Sequence, residues 1–391
     1  MSLNQAPTGE RLHIGIFGPT NSGKSSLLNS LTGQRAALVS PKEGTTTDPV
    51  YKNMEVHGLG PITLIDTAGF KDQGDLGPLR LQRTREVIEK CDGFIYLLTG
   101  DPQEDPFLAL LREKNKPLIY VLAKADLLED KALHRATRHL DPLPFIQGDE
   151  ASRTRLLEAL RQAFKEEKAP SLLGGLVKKG DQVLLVMPQD AQAPKGRLIL
   201  PQVQTLRALL DEGALALSCQ PDQLEEALRA LAAPPDLVIT DSQCFKEVRD
   251  HLDPSLALTS FSVLFSAYKG DLDYFIQSVK ALDKAPPKRV AILEACTHPP
   301  DSEDIGQVKI PRLLRKKWGP LLEIDFYRGQ DPLPMASYDL LVHCGACLFN
   351  RTHVLNRVEK AKSLGRPMTN YGILIAYLQG ILDQISLPKS K

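Results

Sequence analysis

Residues 12–25 read Leu-His-Ile-Gly-Ile-Phe-Gly-Pro-Thr-Asn-Ser-Gly-Lys-Ser, and this stretch decides the fold of the N-terminal part of the chain. Residues 12–17 form a short, largely apolar run, the composition of a strand buried in a parallel sheet. Gly18 to Ser25 follow at once and fit the pattern GxxxxGK followed by Ser or Thr, and residues 25–32 read as a helix. A strand before and a helix after separate this loop from a glycine-rich turn arising by chance. Backbone amides of such a loop, with those of the helix N-terminus, cradle phosphates. Lys24 is expected to reach the β- and γ-phosphates, and the Ser25 hydroxyl to ligate magnesium.

Working outward, the other parts of a nucleotide switch arrive at workable intervals. Gly44-Thr45-Thr46-Thr47-Asp48 lies in a polar loop, where Thr46 would supply a magnesium-bound hydroxyl. Residues 62–65 are an apolar strand running into Asp66-Thr67-Ala68-Gly69. Asp66 is placed to hold magnesium through water, and the Gly69 amide to sense the γ-phosphate. Two more buried strands are expected at 93–98 and 117–122. The second ends on Ala123-Lys124-Ala125-Asp126, where a guanine-reading NKxD would stand. The Asp126 carboxylate would accept from guanine N1–H and N2–H₂, a pattern that ATP lacks. Ala123 replaces the asparagine, and residues 146–148 do not spell a Ser-Ala base loop, so guanine selectivity should be weakened. Gly18, Asn21, Ser22, Gly23, Ser26, Thr45 and Lys124 complete the expected nucleotide set.

These motifs resemble the translation-factor-like small GTPases, and Asn21 with Gly44-Thr45-Thr46 resembles their potassium-activated branch. The resemblance implies a potassium ion held by Asn21, wrapped by residues 40–43, in place of an arginine finger. Phe70 follows Gly69 where other GTPases carry a glutamine. A hydrophobe cannot orient the attacking water, so intrinsic hydrolysis should be slow. Asp75 is either an acidic helper or a solvated loop carboxylate.

Residues 165–175 break the pattern with charge, proline and paired glycines, as a linker does. Strand and helix then alternate: strand 182–187, helix 201–212, strand 214–217, helix 221–232, strand 236–240. This is a small parallel α/β domain without a catalytic motif. Residues 197–200 beside the helix from 201 are apolar enough for a subunit interface or for ordinary core. The fold expected is α/β throughout: a P-loop GTPase domain at 1–168, then two smaller parallel α/β domains at 169–268 and 269–391.

The last domain carries the cysteines. Strand 338–342 runs into His343-Cys344-Gly345-Ala346-Cys347, and residues 348–364 read as a helix, which would put Cys347 near a helix N-terminus. Strand 288–295 ends on Cys296-Thr297-His298. In open α/β sheets ligand sites form at the carboxyl ends of strands, so two neighbouring ends would gather three cysteines and two histidines. Three cysteines suit a cubane iron–sulfur cluster with one replaceable corner, whereas structural zinc wants a fourth fixed ligand. Zinc and a redox-active dithiol remain the alternatives. His298 and His343 are each either the fourth ligand or a hydrogen-bond donor to sulfur. Cys91, Cys219 and Cys244 read as structural.

Composition bounds the function classes. The 391 residues carry 48 basic and 48 acidic side chains, a formal net charge of zero that gives no nucleic-acid footprint. Six cysteines are not a disulfide scaffold, and their grouping points to a reducing compartment. No stretch reaches the ~18 apolar residues of a membrane span, and residues 1–11 lack a signal core. A soluble cytoplasmic protein is expected.

Together, the GTPase motifs, the stretch Ala193-Pro194-Lys195-Gly196-Arg197-Leu198-Ile199-Leu200-Pro201-Gln202, and CxH with HCxxC resemble the FeFe-hydrogenase maturation GTPases, the HydF family, over almost the whole chain. The resemblance implies a homodimer through the middle domain and a 4Fe-4S cluster on Cys296, Cys344 and Cys347 with an exchangeable fourth site. It further implies a scaffold or carrier for the di-iron precursor, working with two radical-SAM maturases and the apo FeFe-hydrogenase. A regulatory GTPase with a structural zinc domain is the competing class.

Overall fold

The computed structural model describes residues 8–33, 49–67, 77–98, 106–125, 140–165, 171–188, 198–295, 304–329, 331–346 and 348–389. The chain divides into two compact units, residues 1–168 and 169–391.

In the first unit, β1 (Leu12–Phe17), β2 (Val50–Val56), β3 (Gly60–Asp66), β4 (Gly93–Leu98), β5 (Leu118–Ala123) and β6 (Leu143–Phe145) form one sheet, ordered β2-β3-β1-β4-β5-β6. All neighbours run parallel except the β2–β3 pair. The central strands β1 and β4 are buried almost throughout, as parallel strands covered on both faces must be. Edge strand β2 alternates half-buried and exposed residues up to the buried Val56, which suits an antiparallel strand with one wet face. Helices α1 (Lys24–Thr32), α2 (Gly77–Lys90), α3 (Pro106–Glu113) and α4 (Glu150–Ala163) accompany the sheet. Ile14, Ile16, Leu28, Leu31, Ile95 and Leu97 centre one core, and Phe17, Ile88, Phe94 and Leu111 centre another.

The second unit holds two four-stranded sheets, every pair parallel. The first is ordered β10-β9-β7-β8, from β7 (Gln182–Val186), β8 (Leu215–Cys219), β9 (Leu237–Thr240) and β10 (Leu258–Ser260). The second is ordered β12-β11-β13-β14, from β11 (Arg289–Glu294), β12 (Glu323–Arg328), β13 (Leu340–His343) and β14 (Met368–Asn370). The helices are α5 (Leu200–Asp211), α6 (Leu224–Ala230), α7 (Phe245–His251), α8 (Phe261–Lys269), α9 (Leu272–Ala281), α10 (Ile310–Trp318), α11 (Arg351–Ser363) and α12 (Tyr371–Leu378). One apolar core containing Leu184, Val238, Val263, Ile292, Leu341 and Ile373 runs through both sheets.

The expected α/β organisation, a P-loop GTPase fold followed by two parallel-sheet layers, is the observed one. Two helices differ in detail from the sequence reading. The expected helix at 221–232 is a 3-10 turn at Pro221–Gln223 followed by α6. The helix after the CxxC starts at Arg351 rather than 348, because the Asn350 side chain caps it by accepting from the His353 N–H at 3.3 Å. The helix expected from 348 therefore begins three residues later in the sequence, and Cys347 itself lies outside the described residues. Among the described residues no helix is long and apolar enough to cross a membrane.

Candidate functional site

Two candidate sites lie at the carboxyl ends of parallel strands, one in each unit. In the first, β1 leads through Gly18-Pro19-Thr20-Asn21-Ser22-Gly23 into α1. Gly23 caps the helix at φ 95°, a left-handed conformation that costs a side-chain-bearing residue energy. Asn21 takes φ 61° as well, which asparagine tolerates better than most residues. Lys24, only 7% exposed, donates from Nζ to the Gly18 and Pro19 carbonyls at 3.0 and 2.7 Å. The ammonium is thus folded back over the loop whose phosphates it would meet.

Ser25 Oγ donates to Asp66 Oδ2 at 2.5 Å, joining the first turn of α1 to the end of β3. Asp66 is 1% exposed, and burial pushes its pKa up against the pull of the Ser25 hydroxyl and the Lys24 charge. Its other oxygen, Oδ1, is buried without a protein partner among the described residues, as are Ser22 Oγ and Thr20 Oγ1. Burying such atoms unpaired costs about 1–3 kcal/mol each. Three of them around one loop form a polar hollow that a hydrated cation and phosphate oxygens would satisfy. The donor set therefore fits magnesium and a nucleotide.

Lys124 is exposed at φ 56° immediately after β5. Beyond β6, Asp149 caps α4 by accepting from the N–H groups of Ala151 and Ser152, closing the turn at residues 146–148. Thr45, Thr46, Gly69, Phe70, Asp75, Asp126 and the loop at 40–43 lie outside the described residues.

In the second unit β11 and β13 are neighbours, with Leu293 opposite His343. Their ends meet at sulfur. Ala295, the residue before Cys296, donates its N–H to Cys344 Sγ at 3.1 Å, and the Ala346 N–H adds a second bond at 3.4 Å. Two backbone donors on one sulfur favour its thiolate, the form that binds a metal. Cys344 is half-buried. Ala346 turns the loop at φ 52°. Cys296, His298 and Cys347 lie outside the described residues. Among those described, no group of three or more His, Cys, Asp and Glu gathers as a metal site. The donor chemistry at Cys344 nonetheless fits a thiolate-bound centre.

His343 is 1% exposed, and both ring nitrogens are engaged. Arg357 Nη1 lies 3.1 Å from Nε2; a guanidinium only donates, so Nε2 accepts and the proton sits on Nδ1, which donates to the Cys344 carbonyl at 2.9 Å. Burial, reinforced by the Arg357 charge, pushes the ring pKa down to about 3. Neither nitrogen is left for a metal.

Two residues that the sequence did not single out complete this loop. Lys269, 1% exposed at the end of α8, donates from Nζ to the Ala346 and Phe349 carbonyls at 2.9 and 2.8 Å. Arg357, one face of α11, donates also to the Gly329 carbonyl at 2.8 Å and lies over the Phe349 ring. A lysine closing the apolar run Phe261-Ser262-Val263-Leu264-Phe265 is the one sequence hint that α8 is buried to its end.

Comparison with known proteins follows this geometry. Residues 172–270 match the hydrogen maturase F dimerization domain, residues 273–387 the hydrogen maturase F tetramerization domain, and residues 13–124 a 50S ribosome-binding GTPase model. The tRNA modification GTPase MnmE of Xanthomonas oryzae pv. oryzae is 33% identical over 191 residues, 41% of this chain and 42% of that protein. GTPase Der of Chloroflexus aurantiacus is 41% identical over 126 residues, 30% of this chain and 28% of that one. The chain thus spans less than half the length of these relatives. Among solved structures, an Aquifex aeolicus Era variant aligns over 56% of this chain and 98% of its own, at 18% identity and TM-score 0.35. With two of its own domains matched behind a GTPase domain, the chain belongs to the hydrogen maturase F family.

Proposed function

We propose that the protein is a GTP-hydrolysing scaffold that binds a 4Fe-4S cluster and carries the di-iron precursor during FeFe-hydrogenase maturation. One observation supports the iron–sulfur half: the N–H of Ala295, the residue before CxH in sequence, bonds Cys344 Sγ at 3.1 Å across the ends of β11 and β13. Cys296, Cys344 and Cys347 would hold the cluster. When bound, the cluster would supply one iron site open to exchange, which His298 or water would fill. His343 is assigned to orienting the loop through its hydrogen bonds, which leaves His298 as the histidine able to ligate.

In the GTPase unit, Lys24 exchanges the Gly18 and Pro19 carbonyls for phosphate oxygens. Ser25 and Asp66 hold magnesium with Thr46, and the Gly69 amide reads the γ-phosphate. Gly18, Ser22, Gly23, Ser26 and Thr45 line the phosphates, Lys124 and Asp126 take the guanine, and Asn21 holds potassium. Homodimerisation is supported by an apolar patch on α5 and edge strand β8, where Val203, Leu210 and Leu215 are 37%, 61% and 65% exposed. The family role implies the two radical-SAM maturases and the apo-hydrogenase as partners, and the cytoplasm as the place of work.

Anaerobic reconstitution with iron and sulfide tests the reading. The expected product is brown, holds about four irons per chain, and gives a reduced-cluster paramagnetic signal. Serine at any one of the three cysteines should remove that signal. A colourless chain that takes zinc in preference to iron refutes it.

A further inference from the structure

The strongest unassigned feature is the pair of cations packed against the CxxC loop. Lys269 is among the largest fully buried side chains of the protein, and an ammonium is costly to bury unless its position returns something. Its ammonium donates to two main-chain carbonyls of one loop, those of Ala346 and Phe349. Ala346 is also the residue in the left-handed conformation and the one whose N–H reaches Cys344 Sγ. Holding its carbonyl therefore holds the donor aimed at sulfur.

Arg357 packs against the same loop. It is half-buried, bonds His343 Nε2 and the Gly329 carbonyl, and has no carboxylate partner among the described residues. A neutral imidazole and a carbonyl orient a guanidinium without cancelling its charge. Lys269 and Arg357 thus both bring a cationic group to the loop of Cys344, whose sulfur receives the Ala295 and Ala346 N–H groups. Reduction potentials of iron–sulfur centres follow local charge and the hydrogen bonds to sulfur.

We propose that Lys269 and Arg357 are positioning residues for the CxxC loop, which fix its carbonyls and histidine and raise the reduction potential of the cluster bound there. This rests on the iron–sulfur reading above.

The test uses the full chain, reconstituted anaerobically, with iron content, circular dichroism and a redox titration followed by electron paramagnetic resonance. Arg357→Gln keeps a polar side chain without the charge. It should load iron to the wild-type level while its reduced-to-oxidised ratio at a fixed potential falls about tenfold, a midpoint shift of about 59 mV to lower potential. Arg357→Lys, which keeps the charge, should recover most of the shift. Lys269→Met should shift the midpoint the same way and lose iron to a chelator several-fold faster. If Lys269→Met does not fold, the Arg357 pair decides.

A loaded Arg357→Gln protein with the wild-type midpoint overturns the inference. So does an Arg357→Lys midpoint as low as that of Arg357→Gln, or a folded Arg357→Gln chain that takes up no iron. Wild-type protein that binds no iron is a separate result, which removes the cluster reading itself and this inference with it.

Discussion

Replacing Gly372 with alanine should loosen the second unit at the seam between α8 and α12. A Cβ at this position would stand 2.6 Å from Ser262 Cβ, 2.9 Å from Ser262 C and 3.0 Å from Val263 N. Carbon contacts settle near 3.5–4.0 Å, so the two helices must part by about 1 Å. Two of the three obstacles are main chain and cannot turn aside. Overpacking of this kind costs about 1–3 kcal/mol. Alanine's better helix propensity returns about 1 kcal/mol. Parting the helices also stretches the bond from Asn370 Nδ2 to the Ser262 carbonyl, 3.0 Å long, whose loss costs about 1 kcal/mol. The net expectation is about 2 kcal/mol.

The chain's one tryptophan makes the assay local. Trp318 ends α10 and stacks on Tyr377 of α12 with centroids 6.4 Å apart, so its fluorescence follows this unit and not the GTPase sheet. With a urea slope of about 1–3 kcal/mol/M, the midpoint should fall by roughly 1 M. Because α8 carries Lys269, the reconstituted variant should also release iron faster. An unchanged or higher midpoint would refute the reasoning, since it would mean that the seam accepts a methyl group without moving.

Lys24→Ala should lose nearly all GTP hydrolysis and leave iron content unchanged, because Lys24 holds the Gly18 and Pro19 carbonyls in the first unit while the cysteines of the proposed cluster belong to the second; loss of iron would show that the two units do not fold independently. Hydrolysis should run faster in potassium than in sodium at equal ionic strength, with Asn21→Ala removing the difference; equal rates in the wild type would defeat the potassium assignment. Burial pushes the His13 pKa below its ordinary value of about 6.5, with Asp92 opposing, so the unfolded chain binds this proton first. Stability of the first unit should therefore be held above about pH 6.5 and decline below it, read as falling amide-exchange protection factors in β1 once the intrinsic rate at each pH is divided out, and His13→Gln should flatten that decline. Protection in the variant that falls with acid as in the wild type would count against it.

The parts legible in sequence are those whose neighbours in space are neighbours in the chain. The phosphate loop is one stretch of backbone between β1 and α1, so its pattern carries nearly its whole geometry. Strands 12–17 and 93–98 stood out because burial on both faces leaves an unbroken apolar run. Strand β2 did not, since Tyr51, Asn53 and Glu55 interrupt it on the wet face. Strands β10 and β14, at three residues each, are too short for any period to register. At the second site the cysteines announced themselves by spacing, whereas Lys269 meets Ala346 across 77 positions and looks, in sequence, like any lysine ending a helix. The roles of His343 depended on Arg357, a contact set by how α11 lies on the sheet.

The hold of Lys269 on the CxxC loop bears on how such a protein can be inherited. The two family regions meet between residues 270 and 273, yet Lys269 belongs to the first and its acceptors to the second. Arg351 repeats the crossing by donating to the Tyr268 carbonyl at 3.0 Å. A recombination event at this natural-looking join would deliver residues 273–387 to a new host with the thiol loop intact and its ammonium left behind. Shuffling would therefore retain or lose the two sheets of the second unit as a pair.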